Sequence, residues 1–232
     1  SEFILARRVL DPLLERIPTL ILPGNHDRYT HASARRREME KLFADWMPPS
    51  YPHTLNLTAG WSLLALDSCV PRCLTSRGKL DLPQLDRAKP ILTSDAHRAL
   101  LLLCHYPILS PPAMPQHWEH GLSHAPALRH LLTQRLEQSP APLLYLHGHI
   151  HHPWCHAVIG QRLDNLIDLS AGSLVHRGHG FRLGQGFWEL HLPDTPSAPT
   201  LIRHHRQVSH DHDGWITTNH AKPTPTALLP VD

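Results

Sequence analysis

The chain opens on a helical pattern of apolar positions. After Ser1 and Glu2, which read as a cap, Phe3, Ile4, Leu10, Leu13, Leu14 and Ile17 recur at helical spacing. Pro12 falls inside that pattern and predicts a kink or an early stop. Thr19 to Leu22 is a short apolar run of the kind a fully buried strand carries, and Arg35 to Trp46 returns to an amphipathic helical period. Trp61 to Asp67 (WSLLALD), Ala99 to Cys104 (ALLLLC) and Leu143 to Leu146 read as buried strands by their length and flanks. Between them, Leu82 to Leu92 is a candidate helix interrupted by Pro83 and Pro90. Ala125 to Gln138 is a helix with Leu128, Leu131, Leu132 and Leu136 on its inner face.

From Cys155 onward the texture changes. Short runs at His156–Ile159, Asn165–Leu169, Gly186–Leu192 and Thr200–His204 are separated by Gly and Pro turns and predict antiparallel strands. From about Gln207 the chain mixes His, Asp, Thr and Pro without periodicity, which predicts an extended or disordered tail over 207–232 after a domain over 1–206. The front half alternates strand and helix, and the back half is a strand-rich meander. That order predicts an α/β fold of stacked sheets flanked by helices, with chemistry on the loops that follow the front strands.

Composition narrows the partners. At 232 residues and 41% hydrophobic the chain has room for one substantial domain. It contains no apolar run long enough to span a membrane, and a formal charge of +2 gives no evidence for nucleic-acid binding or attraction to an acidic membrane. The four cysteines, Cys69, Cys73, Cys104 and Cys155, form no CxxC pair; they read as reduced thiols and point to a cytoplasmic location. Histidine is the outlier, at 22 residues.

Three apolar strands end in polar groups of one chemical type. The first delivers Gly24-Asn25-His26-Asp27, the second Cys104-His105-Tyr106-Pro107, and the third Leu146-His147-Gly148-His149-Ile150-His151-His152. Groups placed directly after parallel strands gather at one sheet edge. Imidazole is a common ligand of first-row metals, and an amide oxygen can complete such a site. Taken singly, each motif has a plain alternative: a turn for GNHD, a surface or core histidine for His105. Their joint occurrence in this order is what carries the signal.

GNHD, then an isolated His-Tyr-Pro after a strand, then GHxH, resembles the calcineurin-like metallophosphoesterase family, with the general look of its cyclic-nucleotide phosphodiesterase-like branch. The resemblance covers roughly residues 1–180 and includes Ala171-Gly172-Ser173 after the strand at 166–169. It implies a layered α-β-β-α sandwich of the metallo-dependent phosphatase type and two divalent transition-metal ions, Mn, Fe or Zn. It also implies hydrolysis of a small-molecule phosphodiester or phosphomonoester by a metal-activated water. On this resemblance Asn25, His105 and His149 ligate one metal and His151 the other. His26 is then the proton donor to the leaving oxygen, and Asp27 orients its ring.

The family's Asp-x-His and Gly-Asp motifs do not occur before Gly24, so the chain is expected to be N-terminally truncated, to lack the first strands and to be impaired by itself. Asp67, Asp81, Asp164 and Asp168 are weighed as replacement carboxylates; Asp67, the best placed, reads as a solvated strand-end group. Arg28 beside the first motif and His120 in the Pro-rich loop after His105 are candidate substrate contacts, and His117 and His124 share that loop. His147 and His152 read as supporting groups. The alternatives to an enzyme are a non-catalytic binding or regulatory relative and a histidine-rich metal store, of which the second has no use for GNHD.

Overall fold

The computed structural model describes residues 2–58, 60–72, 74–94, 98–109, 121–157, 166–173, 186–192, 200–211, 214–219 and 226–227; for 94, 156–157 and everything from 200 onward only the backbone is described. Its centre is a six-stranded sheet. Strands β1 (His53–Asn56), β2 (Trp61–Ala65), β4 (Ala99–Leu103), β6 (Leu143–His147), β7 (Pro153–Ala157) and β8 (Leu166–Ala171) lie in the order β1-β2-β4-β6-β8-β7. The four central strands are parallel, in registers such as Leu64↔Leu102, Leu102↔Tyr145 and Tyr145↔Asp168, and the two edge strands are antiparallel. Parallel strands need crossovers, and α4 (Leu82–Ser94) and α5 (Ala125–Gln138) supply two of them. The short β3 (Gly78–Lys79) and β5 (Leu122–Ser123) form a separate parallel pair.

Each sheet face has its own core, which is why the central strands read as uninterrupted apolar runs. On one side Leu64, Leu66, Leu100, Leu102, Leu143, Tyr145 and Leu166 pack under α4 and α5 with Leu85, Leu92, Leu128 and Leu132. On the other, Trp61, Leu63, Ala65, Leu101, Leu144 and Ile167 meet Leu20, Leu22, Leu190 and Leu192. The last two come from or directly follow β9 (Gly186–His191), which pairs antiparallel with β10 (Thr200–Asp211); β10 in turn pairs with β11 (Gly214–Asn219) and β12 (Thr226–Ala227). A third cluster unites Leu14, Met39, Phe43 and Met47 with Phe3, Leu10 and Ile21, under α1 (Glu2–Leu14) and α3 (Glu38–Phe43). The layers run helix, sheet, extended chain with β9, helix, as the α-β-β-α reading requires.

Several local expectations change. Thr19 to Leu22 is extended, with Leu20 and Leu22 on the sheet side and Ile21 on the helix side, but it is not a strand. Ile21 N–H bonds the Trp46 carbonyl (2.8 Å), and no ladder forms around that bond. The helix expected over 35–46 is interrupted at Arg37, which adopts the left-handed conformation (φ 50°, ψ 44°) and separates α2 (His31–Arg36) from α3. In α1, which runs through Pro12, the buried stripe is Phe3, Leu10 and Leu14, whereas Ile4, Leu13 and, beyond the helix end, Ile17 are exposed. The helix packs with α3, Ile21, Trp46 and Met47, with the Arg7 guanidinium 4.3 Å above the Trp46 ring. The inner face of α5 includes Arg135, 2% exposed, whose guanidinium donates to the carbonyls of Leu92 (2.8 Å) and Arg98. The boundary expected at 206 falls inside β10.

Candidate active site at the carboxyl edge of the sheet

Parallel strands end together, so whatever follows β4 and β6 is delivered to one edge. His105 and His149 each follow their strand by two residues. The carbonyl of His105 accepts both Gly148 N–H (3.1 Å) and His149 N–H (3.0 Å), which ties the two strand ends together. The imidazoles of His105 and His149 then meet edge to face at 5.2 Å, and His149 lies 4.2 Å from the Tyr106 ring.

The first motif reaches the same edge through a single 3-10 turn, His26–Arg28, closed by Asp27 N–H to Gly24 carbonyl and Arg28 N–H to Asn25 carbonyl, both 3.2 Å. Asn25 is buried at 6% exposure and its Oδ1 accepts from His105 Nε2 at 2.9 Å. Gly24 permits this approach: a Cβ there would stand 3.1 Å from His105 Cε1. Cys69 Sγ holds the turn from behind by donating to the Pro23 carbonyl (3.0 Å). His26 is exposed, its ring 5.2 Å from Tyr29 and 6.5 Å from His151. His151 has a left-handed backbone (φ 63°), uncommon for a residue with a Cβ. That conformation, with its N–H on the Gly148 carbonyl (3.2 Å), breaks the strand alternation that would otherwise aim His149 and His151 alike.

Electrostatics suit a neutral donor set. Burial, reinforced by His151, His147 and His26, pulls the His105 imidazole down to about 4. At neutral pH it therefore offers a lone pair rather than a charge. Asp27 Oδ2 accepts Gly24 N–H (2.7 Å), and burial nonetheless pushes its carboxyl above the ordinary value. Arg28 is engaged by protein carboxylates. It bonds Glu40 Oε1 through Nε (3.1 Å) and Nη2 (2.8 Å), and pairs with Asp67. Asp67 is thus not a solvated group. Gln84 clamps its backbone with two 2.8 Å bonds, and its Oδ1 accepts Cys69 N–H (3.0 Å).

Behind the edge, His147 and Asp168 are fully buried with Nε2 3.3 Å from Oδ1, and Asp168 Oδ2 accepts Trp154 Nε1–H (2.8 Å). Asp168 therefore faces His147 and Trp154. His124 precedes α5 with φ 65° and sets its Nδ1 2.7 Å from the Leu80 carbonyl, a structural position. His117 and His120 lie outside the described residues, as does Asp164. The sequence reading missed the loop between β2 and β3. Its Arg72 N–H bonds the Tyr29 carbonyl (3.2 Å), and Arg72, Thr75 and Ser76 line a recess with Asn25, Tyr29 and Tyr106. Its signal was no more than two arginines, Arg72 and Arg77, in a polar stretch after a buried strand.

Among the described residues no three His, Cys, Asp or Glu side chains form a group that could hold an ion by themselves. The convergent donors are two imidazoles and the Asn25 amide oxygen, a mixed set that suits a first-row divalent ion in part and leaves coordination positions for other ligands.

A calcineurin-like phosphoesterase family model matches residues 2–153. Among solved structures, a dimetal phosphatase from Danio rerio is similar at TM-score 0.57 and 13% identity, covering 87% of this chain and 72% of that one. The structure of PhoD is similar at TM-score 0.50 and 11% identity, covering 86% of this chain and 53% of its own. At these identities the likeness is one of fold. No curated protein sequence matches the chain.

Proposed function

Because this chain belongs to the calcineurin-like phosphoesterase family, we propose that it hydrolyses a small-molecule phosphodiester or phosphomonoester at the sheet edge where Asn25, His26, His105, His149 and His151 converge. The single observation that carries the reading is that convergence. Three separate chain segments bring imidazoles and an amide oxygen to one place, joined by the 2.9 Å Asn25–His105 bond.

The family implies two divalent metal ions, and the residues fit them as partial ligand sets. Asn25, His105 and His149 would hold one ion and His151 would contribute to the other; imidazole and amide ligands favour Mn, Fe or Zn. Such a pair supplies Lewis acidity on the phosphoryl oxygens and acidifies a water at neutral pH. His26 is the proton handler. It is exposed, its ring 5.2 Å from that of Tyr29, and it is able to turn toward a leaving group. Water adds to phosphorus, the bond to the ester oxygen breaks, and the His26 proton passes to that oxygen. Asp27 serves this step by closing the Gly24–Arg28 turn that presents the imidazole. Arg28 fixes the same turn through Glu40 and Asp67.

No described helix is long and apolar enough to cross a membrane. The buried, unbridged thiols of Cys69 and Cys104 support a reducing, cytoplasmic setting.

The test is hydrolysis of bis(p-nitrophenyl) phosphate and p-nitrophenyl phosphate with added Mn, Fe or Zn. His26→Ala is expected to lower kcat by about a hundredfold or more with metal content unchanged, the usual weight of a general acid. His149→Ala is expected to lower metal content as well. Hydrolysis that survives His26→Ala, or metal content that survives His149→Ala, overturns the reading.

A further inference from the structure

The recess beside Asn25 has a chemistry of its own. It is open and small, about 160 Å³ including its mouth, and it lies between the site turn and the loop after β2. Ligand sites for whole drug-sized molecules start near 300 Å³, so this one has room for a single polar group. Asn25, Tyr29, Tyr106, Arg72, Thr75 and Ser76 are among the residues that line it.

Arg72 stands apart from the other described arginines near it. Arg28 pairs with two carboxylates, Arg98 donates to the Thr58 and Trp61 carbonyls, and Arg135 donates to those of Leu92 and Arg98. Arg72 pairs with no carboxylate among the described residues, and its Nε–H is buried with no acceptor. Arg77, Arg98 and Arg135 share that orphaned Nε, but of the four only Arg72 lines the recess. An unsatisfied guanidinium N–H removed from water costs free energy. A planar guanidinium is also the group best shaped to take phosphate or carboxylate oxygens. The loop is not loosely placed either. Arg72 N–H is bonded to the Tyr29 carbonyl, three residues beyond His26.

We propose that this recess is a second anion subsite, in which Arg72 binds a negatively charged oxygen group carried by the substrate beside the phosphoryl group under attack. The inference rests on the phosphoesterase reading for the neighbouring centre and adds a substrate class: phosphoesters that carry a second phosphate or carboxylate within reach of Arg72. Asn25 faces both centres, so a group seated at Arg72 is adjacent to the reacting phosphorus.

Calorimetric titration of the EDTA-treated chain tests this without turnover. The probes are inorganic pyrophosphate, phosphonoacetate and, as the single-group control, inorganic phosphate. Pyrophosphate is expected to bind wild type more tightly than phosphate does. Arg72→Gln is expected to weaken pyrophosphate at least tenfold while phosphate falls less, and Arg72→Lys is expected to restore part of the loss. Circular dichroism of each variant verifies the fold. Phosphonoacetate falling in parallel identifies a general anion subsite; phosphonoacetate binding no better than phosphate identifies one selective for a second phosphate. Pyrophosphate binding that is absent in wild type, or equal in Arg72→Gln, overturns the subsite. The phosphoesterase reading fails on a different result, hydrolysis that survives His26→Ala, so the two failures are separable.

Discussion

His105 is the residue on which the site turns. It donates to Asn25, its carbonyl collects the Gly148 and His149 N–H groups, and its ring stands under Gly24. Burial holds its imidazole neutral down to about 4, against an ordinary value near 6.5. The sign of the linked stability follows. Between those values the unfolded chain binds a proton that the fold refuses, so stability is full above about 6.5 and declines as pH falls toward 4. Urea unfolding of the EDTA-treated chain is therefore expected to show a lower midpoint at pH 5 than at pH 7.5. His105→Gln is expected to shrink that difference whatever its midpoint at pH 7.5; an equal difference in wild type and variant rejects the assignment.

At the scale of elements, the strand ends and their loops decide the geometry. The start of β3 is packed against the residue after His105: a Cβ on Gly78 would lie 2.4 Å from Tyr106 Cδ2. Tyr106 also stacks on His149 and donates its hydroxyl to the Ser76 carbonyl. Gly78→Ala must push the ring aside, and overpacking of this kind costs about 1–3 kcal/mol. The expected result is a lower urea midpoint together with weaker metal binding, because the displaced ring is the one that supports His149. A variant that loses stability but binds metal as wild type does would show that Tyr106 does not position the ligand. Much at this scale was legible in the sequence. The bounds of α5 match the helical period over Ala125–Gln138, β2 and β4 sit inside their apolar runs, and β6 outruns its own by one residue, His147. The failures have physical causes. Thr19 to Leu22 has strand periodicity without a ladder, and Arg37 interrupts a helical period through a backbone conformation that side-chain pattern does not encode. β1 is too short and too polar to register as a strand, and it exists by pairing with β2.

For the whole molecule the question is whether metal affinity belongs to one place or to 22 histidines. An ion that binds only the folded state stabilises it by about 2.7 kcal/mol at a hundred times its Kd, which for a chain of this size is roughly 5–10 °C in Tm. Manganese is expected to raise Tm by an amount of that order, EDTA to reverse it, and His149→Ala or Asn25→Ala each to abolish most of it. A shift that persists in both variants would assign binding to dispersed surface imidazoles and remove the site.

Local pattern set the alternation of elements, the apolar runs of the central sheet and the three polar clusters that follow apolar runs. These are local properties: side-chain type, spacing and strand length carry them, and a family match over residues 2–153 accords with them. The tertiary structure alone decided the partners. It set Asp27 on the Gly24 amide, gave Arg28 to Glu40 and Asp67, buried Asp168 against His147 and Trp154, and left Arg72 Nε without an acceptor beside Asn25. A charged side chain's role depends on which opposite charge or amide the fold brings within about 3 Å of it, and that distance is set by packing between segments far apart in the chain.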